Sequence, residues 1–188
     1  MLKPISKASW HTYPSMVAVI TSKSNEQVNV MASGWHTFMG TNPGHYGFAL
    51  RKETYTYELI SQSKTFAVQF LPSQHSKWIQ LSGTYSGREQ NKFDLFNIPY
   101  HLSELCNVPI IEDAYFAYEC NVVGEHTYGT HEWIVGEVMQ SYRNEQAFTS
   151  SNTIDFEQLS IPMYIGRSEY RSLTKDAPRM LHQQTNHL

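Results

Sequence analysis

The sequence predicts a mainly β fold, a β-barrel carrying a few short helices. Three observations lead there: several short β-branched or alternating runs bounded by turn residues, few segments with helical periodicity, and a composition rich in rings. Of the 188 residues, 13% are aromatic and 16% charged, where a typical soluble domain is about a quarter charged. A surface so short of charge suggests that part of it is covered by a partner.

Met16-Val17-Ala18-Val19-Ile20 is β-branched, follows Pro14 and gives way to a polar stretch, Ser22 to Gln27. Val28 to Ala32 alternates, so the two runs read as a hairpin joined by that polar loop. Gly40, Pro43, Gly44 and Gly47 break the following segment into turns, and a strand resumes at Tyr46 to Leu50. Thr54 to Ser63 is the most helical piece. Thr54 or Thr56 can cap it, Glu58 suits its first turn, and Tyr55, Leu59 and Ile60 form its apolar stripe. Thr65 to Leu71 is a strand stopped by Pro72. A short helix is expected over Ser76 to Leu81, then a turn-rich SGTYSG loop and a helical turn at NKFDLF. Tyr115 to Val123 and Trp133 to Met139 mirror each other as strands across Gly124 to Thr130. The tail, residues 174–188, is polar and aperiodic, and is expected to be disordered or to lie on a partner.

The length suits one domain. A net charge of −3 argues against a general nucleic-acid binder, which needs a basic face. The longest apolar run is far below the ~18 residues of a membrane span, and the first residues lack the apolar stretch of a secretory signal. A soluble, cytoplasmic protein is the expectation. Two cysteines, Cys106 and Cys120, make no disulfide framework and read as reduced packing residues. The glycine-rich nucleotide signatures, G-x-S-x-G and H-E-x-x-H are missing. His126 and His131 have no third ligand nearby in sequence, so no metal site is expected.

What remains is a set of candidate anion contacts. Arg51 and Lys52 end a strand, and Thr54 and Thr56 open the helix after it. Cations, hydroxyls and free helical N–H groups within six residues are what a phosphate requires. Ser86, Gly87, Arg88 and Lys92 repeat the theme on a loop whose glycine permits close backbone approach.

In order along the chain, a series of segments resembles the flavin reductase-like family, particularly its flavoredoxin branch. They are Tyr13-Pro14, Asn29 to Trp35, Pro43, Leu50 to Tyr57, Phe66 to Pro72, Tyr85 to Arg88, Asn91 to Phe93, Thr130 to Val138 and Pro162 to Gly166. The resemblance implies an FMN-binding split β-barrel over residues 1–173, homodimeric, with the flavin near the subunit interface. It also implies transfer of electrons from NAD(P)H, or from a redox protein, through FMN to an acceptor. Two alternatives stay open: an electron carrier with no NAD(P)H activity of its own, and a non-catalytic flavin binder. By the same resemblance Asn29 lies near the flavin ring or ribityl chain, and Trp35 against the isoalloxazine, flanked by Ser33, Gly34 and His36. Arg51, Lys52, Thr54 and Thr56 fall to the phosphate, and Ser86, Gly87 and Lys92 to a second polar contact. His131 sits by the flavin as the candidate catalytic residue, and Tyr164 supplies an aromatic near the ring.

Overall fold

The computed structural model describes residues 1–6, 11 and 13–182. Its main sheet has seven strands, β2 (Ala18–Ser24), β3 (Gln27–Ser33), β4 (His36–Thr41), β5 (Gly44–Leu50), β6 (Thr65–Phe70), β9 (Phe116–Tyr128) and β10 (His131–Arg143). They are hydrogen-bonded in the order β3-β2-β6-β9-β10-β5-β4, and every pairing is antiparallel. A small sheet joins β1 (Ser15–Met16) to β11 (Ile161–Gly166) and β12 (Glu169–Leu173). A hairpin of β7 (Tyr100–Leu102) and β8 (Pro109–Ile111) stands apart. Three helices, α1 (Tyr55–Ser63), α2 (Ser76–Thr84) and α3 (Lys92–Leu95), lie between the strands in sequence.

Connectivity forces the main sheet to curl. Its two edge strands, β3 and β4, are consecutive in the chain and separated only by Gly34 and Trp35. In a flat sheet six strand spacings would part those edges by about 29 Å. The three peptide links from Ser33 to His36 reach at most about 11 Å. The two edges are therefore drawn together at this end of the sheet, where the Ser33 hydroxyl of β3 lies 3.5 Å from the Ala49 carbonyl of β5.

The curled interior holds one core, with Ile20, Phe48, Phe66, Val68 and Ile134 at its centre. A second core lies behind β2 and β3, where Val19 and Val30 meet Ile79 of α2, Phe93 of α3 and Ile111. Strand β2 is thus apolar on both faces, which is why its sequence is a continuous run and not an alternation.

Several boundaries differ from the sequence expectation. The polar stretch after Ile20 is mostly strand, and the turn shrinks to Asn25-Glu26, with Asn25 left-handed at φ 52. Ser22 and Ser24 are buried, and the Ser24 hydroxyl donates to Gln62 at 2.8 Å. A short polar side chain with a local partner sits in a strand as readily as in a loop, and Asn is one of the few residues that tolerates the turn. The glycine-rich segment after Trp35 is likewise a hairpin, β4–β5, because Gly47 lies under two large side chains. A Cβ there would stand 2.5 Å from Met39 Sδ and 2.7 Å from Trp133 Nε1. Strands β9 and β10 each run 13 residues, and their link is only Gly129-Thr130. Helix α2 continues through Ser82-Gly83-Thr84, where the sequence predicts loop. Residues 174–182 carry no helix or strand, and 183–188 lie outside the described residues.

Candidate functional site

Where the sheet edges draw together, a cleft of about 550 Å³ opens between β3, the β5–α1 junction, the end of α2 and the start of β10. Eleven of the residues expected at the site line it: Asn29, Ser33, Gly34, Trp35, Arg51, Thr54, Thr56, Ser86, Gly87, Lys92 and His131. They come from five separate segments, and the curl of the sheet brings them together.

One wall is the N-terminus of α1. Thr54 is its cap: the hydroxyl accepts from Tyr57 N–H at 3.2 Å and donates to the Arg51 carbonyl at 2.8 Å. Both polar functions of Thr54 are therefore used locally. The first-turn N–H groups of Tyr55 and Thr56 have no intrahelical acceptor, and they carry the positive end of the helix dipole. Thr56 is buried, and its hydroxyl accepts from Asn29 Nδ2 at 2.8 Å. Asn29 is only 2% exposed, and its Oδ1 has no hydrogen-bond partner. A buried amide oxygen left unpaired costs about 1–3 kcal/mol. Reversing the amide moves the vacancy to the NH₂ group and does not remove it, because Thr56 meets only one end. Gly87 crosses directly over this pair, and a Cβ on it would lie 2.8 Å from Tyr55 Cδ1.

The opposite wall is aromatic. Trp35, 39% exposed, packs at 4.9 Å and 52° against the imidazole of His131. His131 Nδ1 contacts the Thr130 hydroxyl at 3.0 Å. A flat apolar face thus looks across the cleft at a polar helix terminus, an arrangement suited to a ligand with a ring at one end and an anion at the other.

The charges divide in a way the sequence did not reveal. Lys92 is 3% exposed, and its ammonium donates to the Ser82 carbonyl at 2.8 Å and the Tyr85 carbonyl at 3.1 Å. It closes the C-terminal end of α2, and burial pulls its pKa down to about 8. Arg88 is drawn to Glu58 and to the Glu53 carbonyl, with its guanidinium 5.5 Å from the Tyr55 ring. Four expected residues, Arg88, His36, Lys52 and Tyr164, do not line the cleft; His36 turns to the Tyr46 hydroxyl at 2.7 Å. Lys52 turns away to the buried carboxylate of Glu132 at 3.2 Å, a group that also accepts from Thr127. That hydrogen bond and the charge behind it raise the Lys52 pKa. A carboxylate buried at the mouth of the sheet needs a cation, and Lys52 is the one in reach. Tyr164 lies behind Tyr13, edge-to-face at 4.8 Å, and borders a smaller neighbouring hollow.

The sequence reads the whole Ser82–Tyr85 wall as loop and assigns it no role at the site. The available signal was a pair of small residues. Gly83 lets α2 approach β3 so closely that a Cβ on it would be 3.2 Å from that of Ala32.

Residues 10–174 match the family model described as flavin reductase like domain. An uncharacterised protein of Archaeoglobus fulgidus is 30% identical over 129 residues, 69% of this chain and 72% of that one. One of Pyrococcus abyssi is 28% identical over 136 residues, 72% and 78% of the two chains. Among solved structures, the FMN-binding protein from Thermus thermophilus with bound 1-cyclohex-2-enone superposes with a TM-score of 0.84 at 25% identity, over 96% of this chain and 100% of that one. Flavoredoxin from Methanosarcina acetivorans gives the same score and identity, covering 96% of each chain. Flavoredoxin of Desulfovibrio vulgaris, at 20% identity and TM-score 0.84 over 98% of both chains, shows the shared fold.

Proposed function

The chain belongs to the flavin reductase-like family, and from that premise we propose that its cleft binds FMN and that the protein is an FMN-dependent oxidoreductase. The observation that carries this reading is the Asn29–Thr56 pair, a buried amide with one polar atom unpaired, at the mouth of a helix N-terminus and facing an aromatic wall. In this reading the free N–H groups of Tyr55 and Thr56, with Arg51, hold the phosphate. Asn29 pairs its spare polar atom with the ribityl chain or ring edge. Gly87 lets the backbone close over the ligand, and Trp35 covers the isoalloxazine and keeps water from it. His131 donates to or accepts from the ring edge beside Trp35. Lys92 orders the Ser82–Tyr85 wall and adds positive charge near the anion.

Bound FMN would supply two-electron chemistry at N5, and the protein's part is binding, orientation and exclusion of water. Electrons come in this reading from NAD(P)H or a redox protein and leave to an acceptor. Pairing of two copies is part of the same proposal, supported by the exposed apolar side chains of Phe38, Val123 and Met139. Among the described residues no helix is long and apolar enough to cross a membrane.

Chromatography of released flavin from the purified protein, with FMN fluorescence titration of the stripped protein, tests the proposal. Saturable quenching with FMN is expected, and no quenching by FMN overturns it. Anaerobic bleaching by NADH or NADPH then separates a reductase from a carrier reduced by another protein.

A further inference from the structure

On the far side of Trp35 and His131, the outer face of the sheet carries a hollow of about 400 Å³ lined by Trp35, Met39, Ala49, Tyr128, His131 and Trp133. It shares Trp35, Ala49 and His131 with the cleft, so the two are continuous around those rings. The register explains why it is there. Ala49 and Gly47 are successive outward positions of β5, opposite Trp133 and Val135 of β10. Two small residues in the middle strand, with large ones on both neighbours, leave a trough about two strand spacings, roughly 10 Å, across. One end is stopped where the Trp133 indole N–H donates to Met39 Sδ at 3.3 Å over Gly47. The other end leads to the cleft.

The lining is selective in its chemistry. It contains no ammonium, guanidinium or carboxylate. The indole N–H of Trp35 and the hydroxyl of Tyr128, which is 67% exposed, are donors on ring systems. An indole nitrogen can only donate. Flat π faces with donors and no charge fit a neutral, planar ring compound that carries an acceptor oxygen. A phosphate-bearing or carboxylate-bearing molecule would lose its hydration here without a cation in return. The size is within the range of small-ligand pockets.

We propose that this hollow is a second binding subsite, beside the flavin cleft, for a neutral, planar ring compound that carries an acceptor oxygen. Its placement as the seat of the electron acceptor rests on the flavin reading, whereas its affinity for such a ring does not.

Acetophenone and benzoate, alike in size and different in charge, are the probes, with the indole N–H resonances of Trp35 and Trp133 as the readout. Acetophenone is expected to shift both saturably, with benzoate weaker by roughly tenfold or more. Met39→Glu places a charge at the closed end, outside the flavin cleft, and is expected to weaken acetophenone roughly tenfold while the FMN titration is unchanged. Absence of a saturable shift, equal affinity for benzoate, or indifference to Met39→Glu overturns the proposal. Indole shifts that follow protein concentration and not the ketone also overturn it, since the hollow is then an interface between copies. A ketone shift in protein that fails to bind FMN supports the subsite and defeats the flavin reading, so the two fail separately.

Discussion

Asn29 and Gln69 are both amides buried in the same sheet, and they differ in what surrounds them. Gln69 is 0% exposed and saturated: Nε2 donates to Thr21 Oγ1 at 2.9 Å and the Pro109 carbonyl at 3.0 Å, and Oε1 accepts from Ile111 N–H at 2.7 Å. Those bonds staple the β7–β8 hairpin onto β2 and β6. Asn29 has one partner, Thr56, and an unpaired oxygen buried beneath Gly87. One buried amide is thus completely satisfied inside the fold, and the other, which lines the proposed FMN cleft, is half-paired. Glu119 and Lys92, both buried, extend the comparison to charged groups.

The largest effect is expected at Gln69. Gln69→Ala removes three bonds and strands the Ile111 N–H, so stability should fall by about 3 kcal/mol, read by urea denaturation. FMN affinity of the folded fraction should stay at the wild-type value. A loss of FMN affinity matching that of a cleft variant would erase the distinction drawn between the two amides.

Glu119 is the carboxylate counterpart. It is fully buried, accepting from Cys106 N–H at 2.9 Å and the Tyr142 hydroxyl at 2.8 Å. Burial alone would raise its pKa, but the bonds from Ser103, Cys106, Tyr142 and Leu105 together hold it below the ordinary value. The folded pKa is depressed, so the stabilisation is present above the unfolded pKa and is lost as pH falls through the folded one. Glu119→Gln should cost about 2 kcal/mol at neutral pH. The gap to wild type should narrow as both are taken below pH ~4. A gap independent of pH would show that shape and not charge is what the site requires.

These pairs also show what could be read from the sequence and what could not. The start of β2 and the helix cap at Thr54 were legible, because apolar runs and capping residues are local signals, although the run MVAVI breaks at Val17 into β1 and β2 of different sheets. The grouping of Asn29, Trp35, Thr56, Gly87 and His131 was implied by the family resemblance. The partners of the charges were not legible. Nothing near Lys52 in sequence announces Glu132, and nothing near Lys92 shows that its ammonium will meet the end of α2, since both contacts depend on the curl of the sheet. Tyr164 fell outside the cleft for the same reason: β11 pairs with β1 in a separate sheet, and Tyr13 stands between them. The β7–β8 hairpin went unread because each strand is three residues long, too short to display a period.

A smaller effect on stability, and a large one on binding, is expected at Asn29. Asn29→Ala removes the unpaired atom as well as the bond to Thr56, and FMN affinity should fall roughly tenfold, one bond's worth of about 1.4 kcal/mol. Stability should change by less than ~1 kcal/mol, since the desolvation cost of the bare oxygen disappears with it. Isothermal titration and thermal melts check the two halves. A variant that is strongly destabilised yet binds FMN normally would assign Asn29 to architecture, with Gln69.

The smallest effect, and the most discriminating, concerns Lys92. Its folded pKa of about 8 lies below the ordinary lysine value because the ammonium is buried. Between pH 8 and the unfolded value near 10.4 the unfolded chain binds more protons, so this group makes stability rise with pH. Its contribution to holding an anion runs the other way: the cation is present below pH 8 and absent above it. FMN affinity should therefore decline a few-fold from pH 7 to 9 while apparent stability does not. Lys92→Met keeps the apolar stem and loses the charge, so its affinity should be lower and flat across that range. A wild-type profile that is also flat would mean that Lys92 serves only the carbonyls of Ser82 and Tyr85. The phosphate would then rely on Arg51 and the α1 N-terminus alone.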